Sequence, residues 1–307
     1  MNKIPRIALV IPYFGKWPNY FDIYLKGCEN NTWLDILFFT DCEEPPSYPL
    51  NVTFIRSSLP AISDLLLAKT NISVDIKFAY KLCDLRPLYG KIFEDYLKDY
   101  DYWAYGDIDL IYGKLGDFVL PRISTGFDVL SSRRELLSGS LSFFRNTDVI
   151  NNYYLNSVTD VSALKSDTYN GIDETGHCHI TWAGGSKSDL PKYAFTYIIN
   201  EAQEKGILKV SFETICSEIV NTDELVKFQK GELDLNGVSL GYFHYVCNKS
   251  QPFFYFPNWL EVPESFIIAP TGFYNTIELK SFAIRHIIRY AKGKAKNIIN
   301  KISRKLR

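Results

Sequence analysis

Apolar positions in the first third of this chain fall into short runs separated by helical spacing. Arg6–Ile11 and Leu34–Phe39 (LDILFF) read as β-strands, the second ending in Thr40-Asp41 as a parallel strand buried on both faces does. Pro18–Glu29 reads as a helix, Asn51–Ile55 as a third short strand, and a helix follows from about Ala61. Leu82–Tyr100 again has helical spacing, with Pro87 tolerated near its start. The aromatic run in DYDYWAYGDIDLIYG is then a further strand. Strands alternating with helices predict an α/β fold with a mostly parallel sheet. Right-handed crossovers in such a sheet bring ligands to the carboxyl ends of the strands. Tyr13-Phe14-Gly15, Thr40-Asp41 and Gly106–Asp109 all fall at such ends.

Asp107 and Asp109 stand two residues apart at the end of the aromatic strand. Side chains at i and i+2 of an extended chain point the same way, so the carboxylates repel unless a cation lies between them. Hard divalent ions favour such oxygen ligands and leave positions open for phosphate. The alternative is a polar turn after a strand. Neither G-x-x-x-x-G-K-[ST] nor G-x-G-x-x-G occurs in the chain. A bound nucleotide diphosphate would therefore rely on a metal in place of a Gly-rich cradle.

Composition bounds the rest. A chain of 307 residues with 46% hydrophobic and 15% aromatic content can bury a full core. No run of eighteen apolar residues occurs, so no membrane span is expected. The start, MNKIPRIALVIPYFG, reads as a first buried strand rather than a signal peptide. Cys28, Cys42, Cys83, Cys178, Cys216 and Cys247 have no C-x-x-C pairing and are expected to be reduced thiols, not zinc ligands.

The net charge of −1 hides a division. From Leu279 onward there are ten Lys/Arg and no Asp/Glu, which leaves 24 basic against 35 acidic residues before it, a net of −11. An acidic body repels nucleic-acid phosphate, so nucleic acid is not an expected partner. In 279–307 apolar residues recur every three or four positions among the basic ones. The segment predicts a basic amphipathic helix on an anionic membrane surface. A partner-binding helix and an RNA-binding arm are the alternatives.

Other segments offer candidate chemistry. Lys81, Asp84 and Arg86 open a helix and suit ribose hydroxyls and phosphate, or else Asp84 caps the helix while Lys81 and Arg86 are solvated. Gly139 and Ser140 precede an apolar strand in LLSGSLSFFRN, either lining a pocket or forming a bend. His244 and Lys249 lie on a strand end and the following loop; a His in an aromatic strand is otherwise a hydrogen-bonded core residue. Ser157–Leu190 is polar and reads as a mobile surface loop or an acceptor-binding lid, with Asp173 the candidate general base and Glu174 its reserve. His177 and His179 alternate within it, without spacing that supports zinc.

Taken in order, IPYFGKWPNYFDIYLKGCENN, DILFFTD and YKLCDLRPLYGKIFEDYLKDYDYWAYGDIDLIYG resemble bacterial GT-A-type glycosyltransferases. The resemblance is greatest to an uncharacterised subgroup of capsule and O-antigen loci, marked by an I-P-Y-F-G start and a K-L-C-D-x-[KR]-P-x-Y-G block. It covers most of residues 1–145. It implies a GT-A-like fold and a divalent ion, Mn²⁺ or Mg²⁺, at Asp107 and Asp109. It also implies Pro12, Tyr13, Phe14 and Asp41 near base and ribose, and favours donor contacts from Asp84 and Arg86, less so from Lys81. Gly139 and Ser140 match segments that line the sugar pocket. His244 and Lys249 are similar to an H-x-x-x-x-x-K element, one residue shorter here, with His a third metal ligand and Lys on a phosphate.

The expected enzyme is a cytoplasmic protein, peripheral at the inner face of the bacterial plasma membrane. It moves a hexose from a UDP-linked donor to a hydroxyl of a surface-polysaccharide or lipid-linked glycan acceptor. Residues 1–278 form its catalytic domain, with 1–145 the nucleotide-binding half, 146–278 the acceptor half and 279–307 the membrane tail. A sugar-phosphate nucleotidyltransferase and an inactive glycan-binding scaffold are the alternatives.

Overall fold

The computed structural model describes residues 4–177, 189–221, 224–252 and 254–275, together with 288, 291, 292 and 295. The chain divides into two compact units that interleave along the sequence. The first comprises Met1–Trp17, Thr32–Asp107 and Phe118–Ile215; the second comprises Pro18–Asn31, Ile108–Asp117 and Cys216–Arg307.

Strands are numbered in chain order: β1 (Ile7–Tyr13), β2 (Leu34–Thr40), β3 (Val52–Arg56), β4 (Tyr102–Gly106), β5 (Leu110–Tyr112), β6 (Val129–Ser131), β7 (Leu141–Arg145) and β8 (Val210–Phe212). Among the described residues the first unit holds a sheet ordered β3-β2-β1-β4-β7-β6-β8. β3, β2, β1 and β4 are parallel, and β7 is antiparallel to both β4 and β6. This is a mixed, mostly parallel sheet with flanking helices, as the apolar runs predict. β2 is buried along nearly its whole length, as a strand covered on both faces must be.

Register decides which residues meet at the carboxyl edge. Tyr13 pairs with Thr40 and Thr40 with Arg56, so β1, β2 and β3 end level. Val10 pairs with Tyr105, which brings Asp107, two residues on, level with Pro12. Gly106 pairs with Leu141, so antiparallel β7 begins at the edge where β4 ends, and Gly139 and Ser140 arrive there too. The core beneath is aromatic. Trp103 stacks on Phe144 at 4.4 Å, and Phe144 on Phe195 at 5.5 Å.

The continuous helix expected over Leu82–Tyr100 is instead a 3₁₀ helix, Ala79–Leu88, followed by short helices at Tyr89–Ile92 and Glu94–Leu97. Pro87 has no N–H to give and its ring crowds the carbonyl four residues back, which disfavours α-helical bonding there.

In the second unit β5 pairs with β13 (Tyr242–His244), itself paired with β9 (Cys216–Ser217). A second sheet is antiparallel, with β10 (Val226–Gln229) between β11 (Glu232–Leu235) and β14 (Ser265–Ala269), and β12 (Val238–Ser239) and β15 (Gly272–Asn275) at its edges. The helix Phe21–Glu29 packs on β5 through Gly27, where an added Cβ would lie 2.7 Å from the Tyr112 nitrogen. That close approach explains why this early helix belongs to the second unit.

Among the described residues no helix is long and apolar enough to cross a membrane. The tail 279–307 lies almost wholly outside the described residues. Among the described residues Cys28, Cys42, Cys83, Cys216 and Cys247 form no disulfide, and Cys178 lies outside the described residues.

Candidate functional site

At the carboxyl edge of the first unit, the loops after β1 and β2 hold one another. The Gly15 N–H donates to Asp41 Oδ1 at 2.7 Å, with Gly15 at φ +107°, a conformation that suits a residue lacking Cβ. Arg56 donates to the Asp41 carbonyl at 2.6 Å. Tyr13 and Trp17 stack at 5.0 Å with their ring planes nearly parallel, and the Trp17 ring N–H donates to the Glu43 carbonyl at 2.7 Å. Pro12 and Tyr13 are half-buried beside this stack, and Phe14 turns into the core.

A second cluster on that unit centres on Arg86, which is only 7% exposed. Its Nη1 donates to Asp173 Oδ2 at 2.7 Å and to the Gly139 carbonyl at 2.8 Å, and its Nη2 donates to Asp107 Oδ1. The guanidinium also lies over the Tyr105 ring, 5.4 Å from its centre. Tyr169 donates to Asp173 Oδ1 at 3.1 Å, and the Gly139 N–H donates to Glu174 Oε1 at 2.7 Å. Gly139 has no room for a side chain. A Cβ there would stand 2.9 Å from both Asp173 Oδ2 and Glu174 Oε1, and 3.0 Å from Arg86 Nη1. Ser140 is buried, its hydroxyl 2.9 Å from that of Ser138.

Burial dominates the titration of this cluster. It raises Asp173 to about 6 against the pull of Arg86, with Asp107 and Asp84 raising it further. Burial likewise pushes Glu174 up to about 7, helped by the charge of Asp173 and opposed by the Gly139 N–H. These carboxyls change charge close to neutral pH.

Lys81 and Asp84 are both fully buried and paired at 2.8 Å. Lys81 also donates to the carbonyls of Ala163 (3.1 Å) and Thr168 (2.9 Å). Asp84 accepts the N–H groups of Asn170 and Ile172. The pair thus fastens the segment leading into Asp173, and neither a solvated Lys81 nor a simple helix cap describes it. The alternative reading of Ser157–Leu190 as a mobile surface loop does not describe the residues around Asp173, which are buried. Asp173 is 1% exposed because it meets a buried guanidinium. His177 turns back at φ +64° with Nε2 3.0 Å from the Tyr169 carbonyl; His179 lies outside the described residues.

In the second unit Asp109 is buried, with Lys249 Nζ 2.8 Å and His244 Nε2 3.4 Å from Oδ2. His244 Nδ1 is 3.3 Å from Glu218 Oε1, and Lys249 donates to the Tyr20 hydroxyl at 3.3 Å. The Tyr245 N–H donates to the Asp109 carbonyl at 3.2 Å, which ties the end of β13 to the start of β5. Although burial alone would raise Asp109, His244 and then Lys249 hold its carboxyl well below the usual carboxylate range. Burial opposes the Lys249 charge, yet Asp109 and Tyr20 raise its pKa.

The first unit therefore brings together Arg86, Asp107, Gly139, Asp173 and Glu174, and at the same sheet edge Tyr13 and Asp41. The second unit brings together Asp109, His244 and Lys249. Sequence reading missed Trp17, Tyr20, Tyr169 and Glu218. Trp17 and Tyr20 belong to the first quoted block, within KWPNYF, so their aromatic character was available as a signal. Nothing local marks Glu218 or Tyr169; only the fold brings each to its partner.

No curated protein matches the chain. Among solved structures it is similar to one titled WbbM bifunctional glycosyltransferase, apo structure, at 10% identity and a TM-score of 0.41. The alignment covers 79% of this chain and 46% of the other, so the chain spans less than half the length of that protein, and the likeness is too slight to carry an argument. A family model described as "Family of unknown function (DUF6625)" matches residues 9–276, and the chain belongs to that family.

Proposed function

We propose that this member of a family of unknown function is a metal-dependent glycosyltransferase. It passes a hexose from a UDP-linked donor to a hydroxyl of a surface-polysaccharide or lipid-linked glycan acceptor. One observation carries the reading: Asp107 closes β4 at the same carboxyl edge as the Tyr13 and Asp41 loops, the position where open parallel sheets take nucleotides. The resemblance of the quoted blocks to GT-A-type enzymes supports the same assignment.

The donor set fits a divalent ion. Asp107, Asp109 and His244 offer two carboxylates and an imidazole, and chain connectivity alone keeps Asp107 within two residues of Asp109. In the second unit His244 already lies against Asp109, oriented from its other nitrogen by Glu218, the outer-shell arrangement that ligating histidines use. Mn²⁺ or Mg²⁺ held there supplies Lewis-acid stabilisation of the diphosphate leaving group.

The remaining roles fall to the chain itself. Tyr13, Trp17 and Asp41 receive base and ribose. Arg86 and Lys249 supply positive charge for diphosphate oxygens. For an inverting transfer the base role passes from Asp173 to Glu174. Asp173 is held by Arg86 and Tyr169, whereas Glu174 lies beside Gly139 with its pKa near 7, a useful range for a general base. The acceptor proton goes to Glu174 as the acceptor oxygen bonds the anomeric carbon and the diphosphate departs. We assign 1–145 to the donor, 146–278 to the acceptor, and 279–307 to an anionic membrane surface at the cytoplasmic face. Loss of sedimentation with phosphatidylglycerol vesicles on deleting 279–307 tests the last point; equal sedimentation refutes it.

A panel of nucleotide-sugars with Mn²⁺, scored by nucleotide release, tests the whole reading. Release from UDP-hexose is expected, abolished by EDTA and by Asp109→Asn in a folded variant. Turnover that survives both would remove the metal-dependent mechanism.

A further inference from the structure

What Asp107 does without an ion is written in its partners, and the argument rests on reading Asp107 as a metal ligand. Its carboxylate accepts from Arg86 Nη2, while Nη1 of the same guanidinium is fixed by Asp173 Oδ2 at 2.7 Å and the Gly139 carbonyl at 2.8 Å. The two halves of the Arg86–Asp107 pair differ in exposure: the Arg86 side chain is 9% exposed and that of Asp107 29%. Arg86 is therefore anchored from the protein side, and Asp107 is the half that meets solvent.

Arginine does not lose its proton in proteins, so deprotonation of Arg86 does not open this pair. Competition from another cation for the carboxylate can. We propose that Arg86 is the resident counterion of Asp107, displaced when a divalent cation takes the carboxylate. The guanidinium then remains on Asp173 and Gly139, and its released Nη2 becomes a donor for a phosphate oxygen at the same sheet edge. Cation and diphosphate binding are coupled as a result, because each favours the opened pair. Gly139 permits the arrangement, since a Cβ would crowd Nη1 at 3.0 Å. The buried Lys81–Asp84 pair, on the same 3₁₀ helix as Arg86, fastens the backbone that presents Asp173.

The test titrates Mn²⁺ alone, read by the electron paramagnetic resonance signal of the free ion. The proteins are the full chain, Arg86→Gln, Arg86→Lys and Asp173→Asn, each checked for folding by thermal melting. Losing a charge-assisted hydrogen bond to Asp107 is expected to tighten Mn²⁺ binding about tenfold or more in Arg86→Gln. Arg86→Lys keeps the charge but lacks the second arm that spans Asp173 and Asp107, and is expected to tighten binding as well. Asp173→Asn removes the inner anchor, throws the guanidinium onto Asp107, and is expected to weaken binding. This neutral variant keeps the proposal open to refutation if the Arg86 variants fail to fold. Tightening in Arg86→Gln with no change in Arg86→Lys would mean repulsion through space and overturn the exchange. So would weaker binding in both Arg86 variants, or tighter or unchanged binding in Asp173→Asn. If no folded protein binds Mn²⁺, the metal reading itself falls, and the exchange with it.

Discussion

Asp107 and Asp109 are separated by one residue yet sit in opposite electrostatic settings. Asp107 belongs to the first unit and shares one buried guanidinium with Asp173, in a cluster where burial lifts Asp173 to about 6 and Glu174 to about 7. Asp109 belongs to the second unit, where His244 and Lys249 keep its carboxyl ionised far below the ordinary range. One environment has more carboxylates than cations and resists further negative charge. The other sets two basic groups directly against the Asp109 carboxylate. A D-x-D spacing therefore says that two carboxylates are neighbours, but not how either is charged; the partners decide that.

The widest gap between the units should appear when their lysines are removed. Lys81→Met leaves Asp84 charged and fully buried, and breaking such a pair costs about 3–5 kcal/mol. Lys249→Met removes a side chain that is 30% exposed, from a carboxylate that still has His244 beside it, and should cost about 1 kcal/mol or less. Urea unfolding of both variants measures the difference. Similar losses would mean that Lys249 is as structural as Lys81.

A smaller effect sharpens the contrast through pH. Glu174 has its pKa raised in the folded chain, so its contribution to stability is complete below its ordinary value of 4.5 and is lost as pH climbs through about 7. Glu174→Gln keeps a neutral acceptor for the Gly139 N–H at every pH. The variant should therefore gain on the natural chain as pH rises from 5 to 8, by on the order of 1 kcal/mol. Parallel melting curves across that range would show Glu174 to be ionised without penalty.

The fold was legible where one element reports its own environment. The apolar run of β2 announced a strand covered on both faces, and the register of β1, β2 and β4 then brought Tyr13, Asp41 and Asp107 to one edge. The site was legible only in part. Asp107, Asp109 and His244 carry short-range marks, but the Arg86–Asp173 pair joins residues 87 positions apart. A polar, Ser- and Asp-rich stretch looks like a solvated loop, because composition cannot reveal that its carboxylates have a buried cation to meet. The interleaved units were hidden for a similar reason. Helix Phe21–Glu29 follows β1 in sequence, and contacts distant in sequence assign it to the second unit: Gly27 against Tyr112, Ile23 in that unit's core and Lys26 paired with Glu264.

The finest of the expected effects concerns Tyr169, whose hydroxyl donates to Asp173 Oδ1 at 3.1 Å. Asp173 has Arg86 on its other oxygen, so Tyr169→Phe removes one of two stabilisers of its charge and leaves the ion pair in place. A single hydrogen bond to a charged group contributes about 1.5–3 kcal/mol when its loss leaves a partner unsatisfied. Asp173 escapes most of that cost, because its raised pKa lets it take up a proton near neutral pH. The loss should therefore be about 1 kcal/mol or less at pH 6, where Asp173 is readily protonated, and larger at pH 8, where it is ionised. In the second unit no such relief exists, since Asp109 stays ionised across that range. Chemical denaturation of Tyr169→Phe at the two pH values decides the point: a loss that does not grow with pH would show Asp173 to be charged throughout, held by Arg86 alone.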